Sequence, residues 1–172
     1  MDGAALAVRL AEEAGVAAIG FHPRSAQVHH KGVPDYDLAA EVVQALDVPV
    51  ILTGGMDDPD GIRAALDHTG AAAVMLARGG LGNPWLFARL LGERDDEPTR
   101  DEVLDELDWM IDALTEHLGE ERAGRYLRKV YPWYLGTLGE GKETNARLQQ
   151  TATTAEARTL LAALRPPAAV AV

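Results

Sequence analysis

Three apolar runs without polar alternation, each following a segment of helical periodicity, restrict the fold of this chain more than any other feature. The runs cover residues 16–22, 48–53 and 71–77, and the helical segments cover residues 4–14, 37–46 and 58–70. Strands of a parallel sheet are buried on both faces, so they lack the alternation of half-exposed strands. The repeat therefore predicts an α/β fold with helices over at least one face of a parallel sheet.

The second half of the chain has a different pattern. A polar stretch at residues 93–100 separates the halves, and no strand pattern recurs after it. Helical periodicity predicts a long helix after Thr99 and further helices over residues 120–130, 144–150 and 155–164. We therefore expect an α/β part at residues 1–95 and a small all-α helical domain at residues 96–172.

Capping residues mark three of the predicted helix starts. Asp58 precedes Pro59, which suits a cap followed by proline at the first helical position. Capping-box spacing recurs in Thr99 with Glu102 and in Thr153 with Glu156. The aspartates around Pro59 could also form a cation site, but capping and the helix dipole explain them without a metal.

Composition excludes several classes of protein. The 172 residues have no cysteine, which excludes disulfides, thiolate metal sites and a cysteine nucleophile within this sequence. No apolar run is long enough to cross a bilayer and no leader follows Met1, so we expect a cytoplasmic protein. The net charge of −11 argues against a uniformly basic nucleic-acid binder.

Two glycine-bearing loops carry the strongest chemical signal, because each follows a predicted strand and leads toward a helix. They are Thr53-Gly54-Gly55-Met56 and Ala77-Arg78-Gly79-Gly80. Glycines let main-chain amides approach an anion, and Arg78 adds a charged fork for phosphate oxygens. The loops after the last two strands of a β/α barrel form the usual phosphate site. The alternative is that these glycines only make tight turns.

A local basic interval lies in the otherwise acidic chain. Residues 123–147 contain five basic and two acidic side chains, a balance of +3. Four aromatic residues lie in the same interval, namely Tyr126, Tyr131, Trp133 and Tyr134. Basic and aromatic side chains together suit phosphate contact and base stacking, although a basic helix face is often only solvated.

Four groups of residues together resemble the flavin-dependent tRNA-dihydrouridine synthase family. The first group is His22-Pro23-Arg24-Ser25, Lys31-Gly32 and Asp35-Tyr36-Asp37. The second is Pro49-Val50-Ile51 with Gly54, and the third is Val74-Met75-Leu76-Ala77-Arg78 with Leu81-Gly82-Asn83-Pro84-Trp85. The fourth consists of Arg128-Lys129 and Trp133-Tyr134. Departures occur at Thr53, Gly55 and Ala77, where the family usually has asparagine, aspartate and glycine.

The resemblance implies a fold and an activity. It implies the C-terminal three strand-helix units of a TIM-type β/α barrel, followed by the helical domain. The implied reaction is reduction of the uracil C5–C6 double bond in tRNA with FMN, and with NADPH as electron donor. In the family a cysteine that protonates the uracil lies in the part that precedes these units. We therefore expect no catalytic residue in this chain and no activity of the chain alone.

The resemblance also implies site residues and partners. The implied cofactor-binding residues are His22, Arg24, Gly54, Gly55, Ala77 and Arg78, and the implied RNA-binding residues are Arg128, Lys129, Trp133 and Tyr134. No metal site is expected, because His29-His30 is better explained as a solvated loop than as a pair of ligands. The expected partners are tRNA and either a complementary N-terminal half barrel or a second copy of the chain.

Two other functions stay open from the residues alone. One is a phosphate-binding half barrel of an isomerase or synthase that acts on a small phosphorylated metabolite. The other is a noncatalytic RNA-binding remnant. Trp85 and Trp109 are predicted to be packing anchors, because large aromatic residues dominate protein cores.

Overall fold

The computed structural model describes residues 3–25 and 32–165. The predicted solvated loop at His29-His30, and Lys31 of the Lys31-Gly32 pair, lie outside these residues. The first half contains α1 (Gly3–Ala14), β1 (Ile19–Phe21), α2 (Tyr36–Ala45), β2 (Val50–Thr53), α3 (Pro59–Thr69), β3 (Ala73–Met75), a short 3-10 turn (Arg78–Gly80) and α4 (Trp85–Leu91). The second half contains α5 (Arg100–Leu118), α6 (Glu120–Thr137), α7 (Lys142–Gln149) and α8 (Thr154–Ala162). The predicted mixed α/β class is confirmed.

The three strands form one parallel sheet in the order β1-β2-β3. β1 and β2 supply buried side chains, with Leu52 fully buried at the centre. In contrast to the buried run predicted at residues 71–77, β3 has two exposed residues, and Met75 is 50% exposed. The reason is its position, because among the described residues β3 has a paired strand on one side only.

The chain divides into two compact units. The α/β unit comprises Met1–Gly80 and Leu86–Asp95, and the helical unit comprises Leu81–Trp85 and Asp96–Val172. The five residues Leu81–Trp85 thus group with the helices, although they precede the boundary expected at residue 95. A Cβ built on Gly82 would lie 2.5 Å from the Trp133 carbonyl carbon, and the Thr137 hydroxyl donates to the Gly82 carbonyl at 2.9 Å. This segment therefore packs directly on α6.

Helix α6 differs from the prediction that it ends near residue 130. It continues to Thr137 with Pro132 in its interior. Proline has no N–H, so it cannot bond to the carbonyl of Arg128 four residues earlier. The Gln149 side chain of α7 donates to that carbonyl instead, at 2.6 Å. A partner from another helix thus offsets part of the cost of an internal proline.

The predicted helix caps are present. Asp58 accepts hydrogen bonds from the N–H groups of Asp60 and Gly61, and Thr99 with Glu102 forms a full capping box. Thr153 caps α8 by accepting from the Glu156 N–H. The Glu156 carboxylate accepts a hydrogen bond from the Ala152 N–H at 2.8 Å. A full capping box would have the Thr153 N–H as the donor, so the second box is incomplete. No helix in the described part of the chain is long and apolar enough to cross a membrane.

Candidate functional site

The two glycine-bearing loops meet at the main chain. A Cβ built on Gly79 would lie 1.9 Å from the Met56 carbonyl oxygen and 2.8 Å from the Asp57 Cα. Real Cβ atoms do not approach main-chain atoms so closely, so this contact requires glycine. The loop after β2 and the loop after β3 therefore lie side by side within the α/β unit.

The loop after β1 joins the same cluster through His22. Gly54 has a φ of +100°, and a Cβ built on it would lie 2.8 Å from His22 Nε2. The histidine ring thus rests on the Gly54 main chain. Because parallel strands place their carboxyl ends at one edge of a sheet, the loops after β1, β2 and β3 are brought together there.

Arg24 lies in the loop after β1, and part of its guanidinium group is hydrogen-bonded within the segment between β1 and α2. Its guanidinium NH2 group donates to the Gly32 carbonyl at 2.7 Å. Its Nε–H is buried, and no described residue accepts a hydrogen bond from it. A buried donor without an acceptor is costly, and an oxygen atom of a bound ligand would satisfy it. This atom fits an oxygen-rich ligand such as a phosphate or a flavin carbonyl.

Tyr36 is the site residue that sequence reasoning did not single out. Its hydroxyl donates to the Gly54 carbonyl at 3.1 Å. A Cβ built on Gly55, which has a φ of +72°, would lie 2.8 Å from that hydroxyl. Burial raises the pKa of Tyr36, while the charge of Arg24 opposes the shift, so the hydroxyl stays protonated as a donor. The only signal in the sequence was its position in the Asp35-Tyr36-Asp37 motif.

Ala77 and Arg78 are the first two residues of the glycine-bearing loop after β3. Both are exposed, and the Gly80 N–H donates to the Ala77 carbonyl at 3.3 Å to close the turn. No ion pair joins Arg78 to another described residue. Its guanidinium can therefore reach an anion without first giving up a carboxylate partner.

The exposed face of α6 carries cationic and aromatic side chains at helical spacing. Tyr126, Lys129 and Trp133 are three and four residues apart, which places them on one face. The Lys129 Nζ lies 5.7 Å from the Tyr126 ring centroid, within cation–π range. Trp133 is 39% exposed. These three residues are called the α6 stripe below.

Two predictions for aromatic residues need correction. Tyr134 is only 3% exposed because it faces the core of the helical unit, so its ring cannot stack on RNA. Burial raises its pKa to about 12. Trp109, predicted to anchor packing, is 59% exposed on α5. Trp85 does pack against the helical core, as predicted.

The other basic residues at positions 123–147 differ in their contacts. The Arg128 side chain donates to the Thr151 carbonyl at 3.3 Å, so part of its role is structural. Arg125 pairs with Glu121, an acidic residue just outside the counted interval. Arg147 lines an open groove of about 440 Å³, together with Gln150, Thr151, Glu156, Thr159 and Leu160. The α6 stripe therefore offers the clearest surface for a base and a phosphate.

Comparisons with known proteins identify the same family as the sequence motifs do. A family model described as dihydrouridine synthase matches residues 3–169. A tRNA-dihydrouridine synthase B of Shewanella oneidensis is 32% identical over 158 residues, which are 89% of this chain and 49% of that protein. A tRNA-dihydrouridine synthase B of Pseudomonas putida is 33% identical over 144 residues, which are 81% of this chain and 43% of that protein.

A protein with the same name from Vibrio parahaemolyticus is 35% identical over 132 residues, which are 74% of this chain and 41% of that protein. The chain thus spans less than half of the length of each of these relatives.

Proposed function

Because the chain belongs to the dihydrouridine synthase family, we propose that it acts as the C-terminal part of a flavin-dependent tRNA-dihydrouridine synthase. The observation that most supports this proposal is the contact of Gly79 with the Met56 carbonyl, which sets two glycine-bearing strand ends side by side. Convergent main-chain amides at strand ends are suited to a phosphate group.

The phosphate of FMN is the proposed ligand of these loops. Gly54 and Gly55 would offer main-chain N–H groups, and Arg78 would supply a guanidinium to the phosphate oxygens. Ala77 lies where the main chain of the second loop begins. A Cβ on Gly79 would clash with the Met56 main chain. Cβ atoms on Gly54 and Gly55 would clash with the side chains of His22 and Tyr36. Only glycine fits at these three positions, so the phosphate would meet only main-chain groups of these residues.

His22 and Arg24 are proposed to face the flavin ring and the uracil. The buried Arg24 Nε–H is a donor for a ring carbonyl oxygen, and the His22 ring is fixed on Gly54. FMN, when bound and reduced by NADPH, supplies the hydride that saturates the uracil C5–C6 bond. The uracil must leave its stack to reach the site, because a stacked base hides its ring carbons.

The chain has no cysteine to act as the uracil's proton donor. We therefore propose that it is inactive alone and acts with a half barrel that supplies this residue. The same half barrel, or a second copy of this chain, would cover the edge strands β1 and β3 and exposed apolar residues such as Met75.

The α6 stripe and Arg128 are proposed to contact tRNA. Lys129 and Arg128 would neutralise phosphates, and the exposed Trp133 would stack on a base. The stripe combines both chemistries on a single helix face within the helical unit.

The direct test compares FMN with riboflavin, which lacks the phosphate. We expect the chain to bind FMN more tightly in a calorimetric titration, and we expect Arg78→Ala to lose about 1.5–3 kcal/mol of FMN affinity. Arg63→Ala is a matched control, because Arg63 lies in the same unit but is paired with Asp60. Equal affinities for FMN and riboflavin would reject the phosphate role. Binding of tRNA without that preference would instead favour a noncatalytic RNA-binding protein.

A further inference from the structure

The Tyr36 hydroxyl is placed to control the glycine pair after β2. Tyr36 is the first residue of α2, whose start is held by Asp35. The Asp35 carboxylate accepts from the Leu38 N–H at 3.0 Å, and the Asp35 N–H donates to the Pro23 carbonyl at 2.8 Å. The ring therefore projects from a fixed point, and its hydroxyl bonds to the Gly54 carbonyl.

That single hydrogen bond fixes a peptide plane. The C=O and N–H of a trans peptide point in opposite directions, so holding the Gly54 carbonyl toward Tyr36 directs the Gly55 N–H away from it. Gly54 and Gly55 both have positive φ, and glycine adopts positive and negative φ about equally well. Without the hydroxyl, this peptide plane could rotate and turn the N–H away from a ligand.

From these contacts we propose that Tyr36 is a positioning residue, which presents the Gly55 N–H to the phosphate bound by the loop after β2. The inference rests on the proposed function, in which this loop binds the phosphate of FMN. Tyr36 acts through the Gly54–Gly55 peptide and does not itself contact the phosphate.

The close packing around the hydroxyl agrees with this role. A Cβ on Gly55 would lie 2.8 Å from the Tyr36 hydroxyl and 3.1 Å from the Pro34 Cγ. Tyr36 and Pro34 thus leave no room for a side chain at Gly55, so the phosphate would meet only main-chain atoms of this residue.

The test uses Tyr36→Phe in the full chain, which keeps the ring and removes only the hydroxyl. We expect FMN affinity to fall about threefold to tenfold, the equivalent of one hydrogen bond, while riboflavin affinity stays unchanged. Tyr131→Phe is the matched control, because Tyr131 lies in the core of the helical unit and belongs to neither proposed binding surface. A tyrosine that only packs would lower the melting temperature and leave the ratio of FMN to riboflavin affinity as it was.

A second measurement needs no ligand. In the ¹⁵N–¹H spectrum of the chain, the Gly55 amide should shift or split in Tyr36→Phe, because the peptide plane samples two orientations. An unchanged Gly55 resonance together with an unchanged affinity ratio would overturn the role of Tyr36, while the wild-type preference for FMN would still stand. If wild type itself shows no preference for FMN, the proposed function fails, and this inference fails with it.

Discussion

The Gln149 side-chain amide donates a 2.6 Å hydrogen bond to the Arg128 carbonyl, the acceptor that Pro132 leaves without its helical partner. The Arg128 side chain in turn donates to the Thr151 carbonyl, just beyond α7. Both bonds tie the middle of α6 to α7 and the residues after it. The geometry of the α6 stripe therefore depends on a helix that contributes none of its residues.

The first prediction concerns the hydrogen bond from Gln149 to the Arg128 carbonyl. Gln149→Ala removes the donor, and we expect it to lower the free energy of unfolding by about 0.5–1.5 kcal/mol in urea denaturation. Gln150→Ala is the control one residue along. In a Pro132→Ala background the helix regains its own N–H, so Gln149→Ala should cost less. Equal costs in the two backgrounds would show that Gln149 does not compensate for the proline.

The second prediction concerns the contact between the loops. Gly79→Ala forces a methyl group against the Met56 carbonyl, and we expect a loss of about 1–3 kcal/mol in stability. Gly124→Ala is the control, because nothing lies within 4 Å of a Cβ there and alanine favours the helix. We expect that control to match or exceed wild type by up to about 1 kcal/mol. A Gly79→Ala variant as stable as wild type would contradict the contact.

The third prediction concerns tRNA. Replacing both Arg128 and Lys129 by alanine should weaken tRNA binding and flatten the slope of log affinity against log salt by about 1–2 units, because fewer counterions are released. Arg9→Ala is the control, since Arg9 lies on α1 and pairs with Glu13. The melting temperature must be measured on the same samples, because Arg128 also bonds to Thr151. A folded double variant with the wild-type slope would remove the support for this contact.

The fourth prediction concerns acid stability. Hydrogen bonds from the main chain and hydroxyl of Thr154 hold the pKa of Glu120 below its ordinary value. A depressed folded-state pKa stabilises the protein above the unfolded pKa, and the gain is lost as pH falls through the folded value. Between about pH 7 and about pH 3, Glu120→Gln should therefore lose less stability than wild type. Glu121→Gln, a neighbour paired with Arg125, is the control. Parallel pH profiles for wild type and Glu120→Gln would rule the effect out.

The sequence predicts the local features of this fold well, because they depend on neighbouring residues. The three strands, seven of the eight helices among the described residues, the Asp58 cap and the Thr99 capping box all follow from spacing within a few residues. Helix α4 (Trp85–Leu91) is not among the predicted helices. The continuation of α6 through Pro132 could not be predicted, because its compensating donor, Gln149, is distant in sequence. The exposure of Trp109 and the burial of Tyr134 depend on which face of each helix meets its neighbours.

The candidate site also has features that the sequence predicts and features that depend on contacts between distant residues. The glycine-bearing loops stand out in the sequence because glycine after an apolar run is a local signal. The contact of Gly79 with Met56 and the bond from Tyr36 to Gly54 depend on the register of neighbouring strands. A tyrosine at the start of a helix gives no sign of the loop that it will touch.

The central claim is that the glycine-bearing loops after β2 and β3 bind the phosphate of FMN. The most direct measurement is a titration of the ¹⁵N-labelled chain with FMN, and in parallel with riboflavin, followed through its amide resonances. We predict that FMN produces its largest shifts at Gly54, Gly55, Gly79 and Gly80, and that riboflavin leaves these four resonances in place. Shifts of equal size with both ligands, or shifts by FMN that avoid these glycines, would contradict the claim.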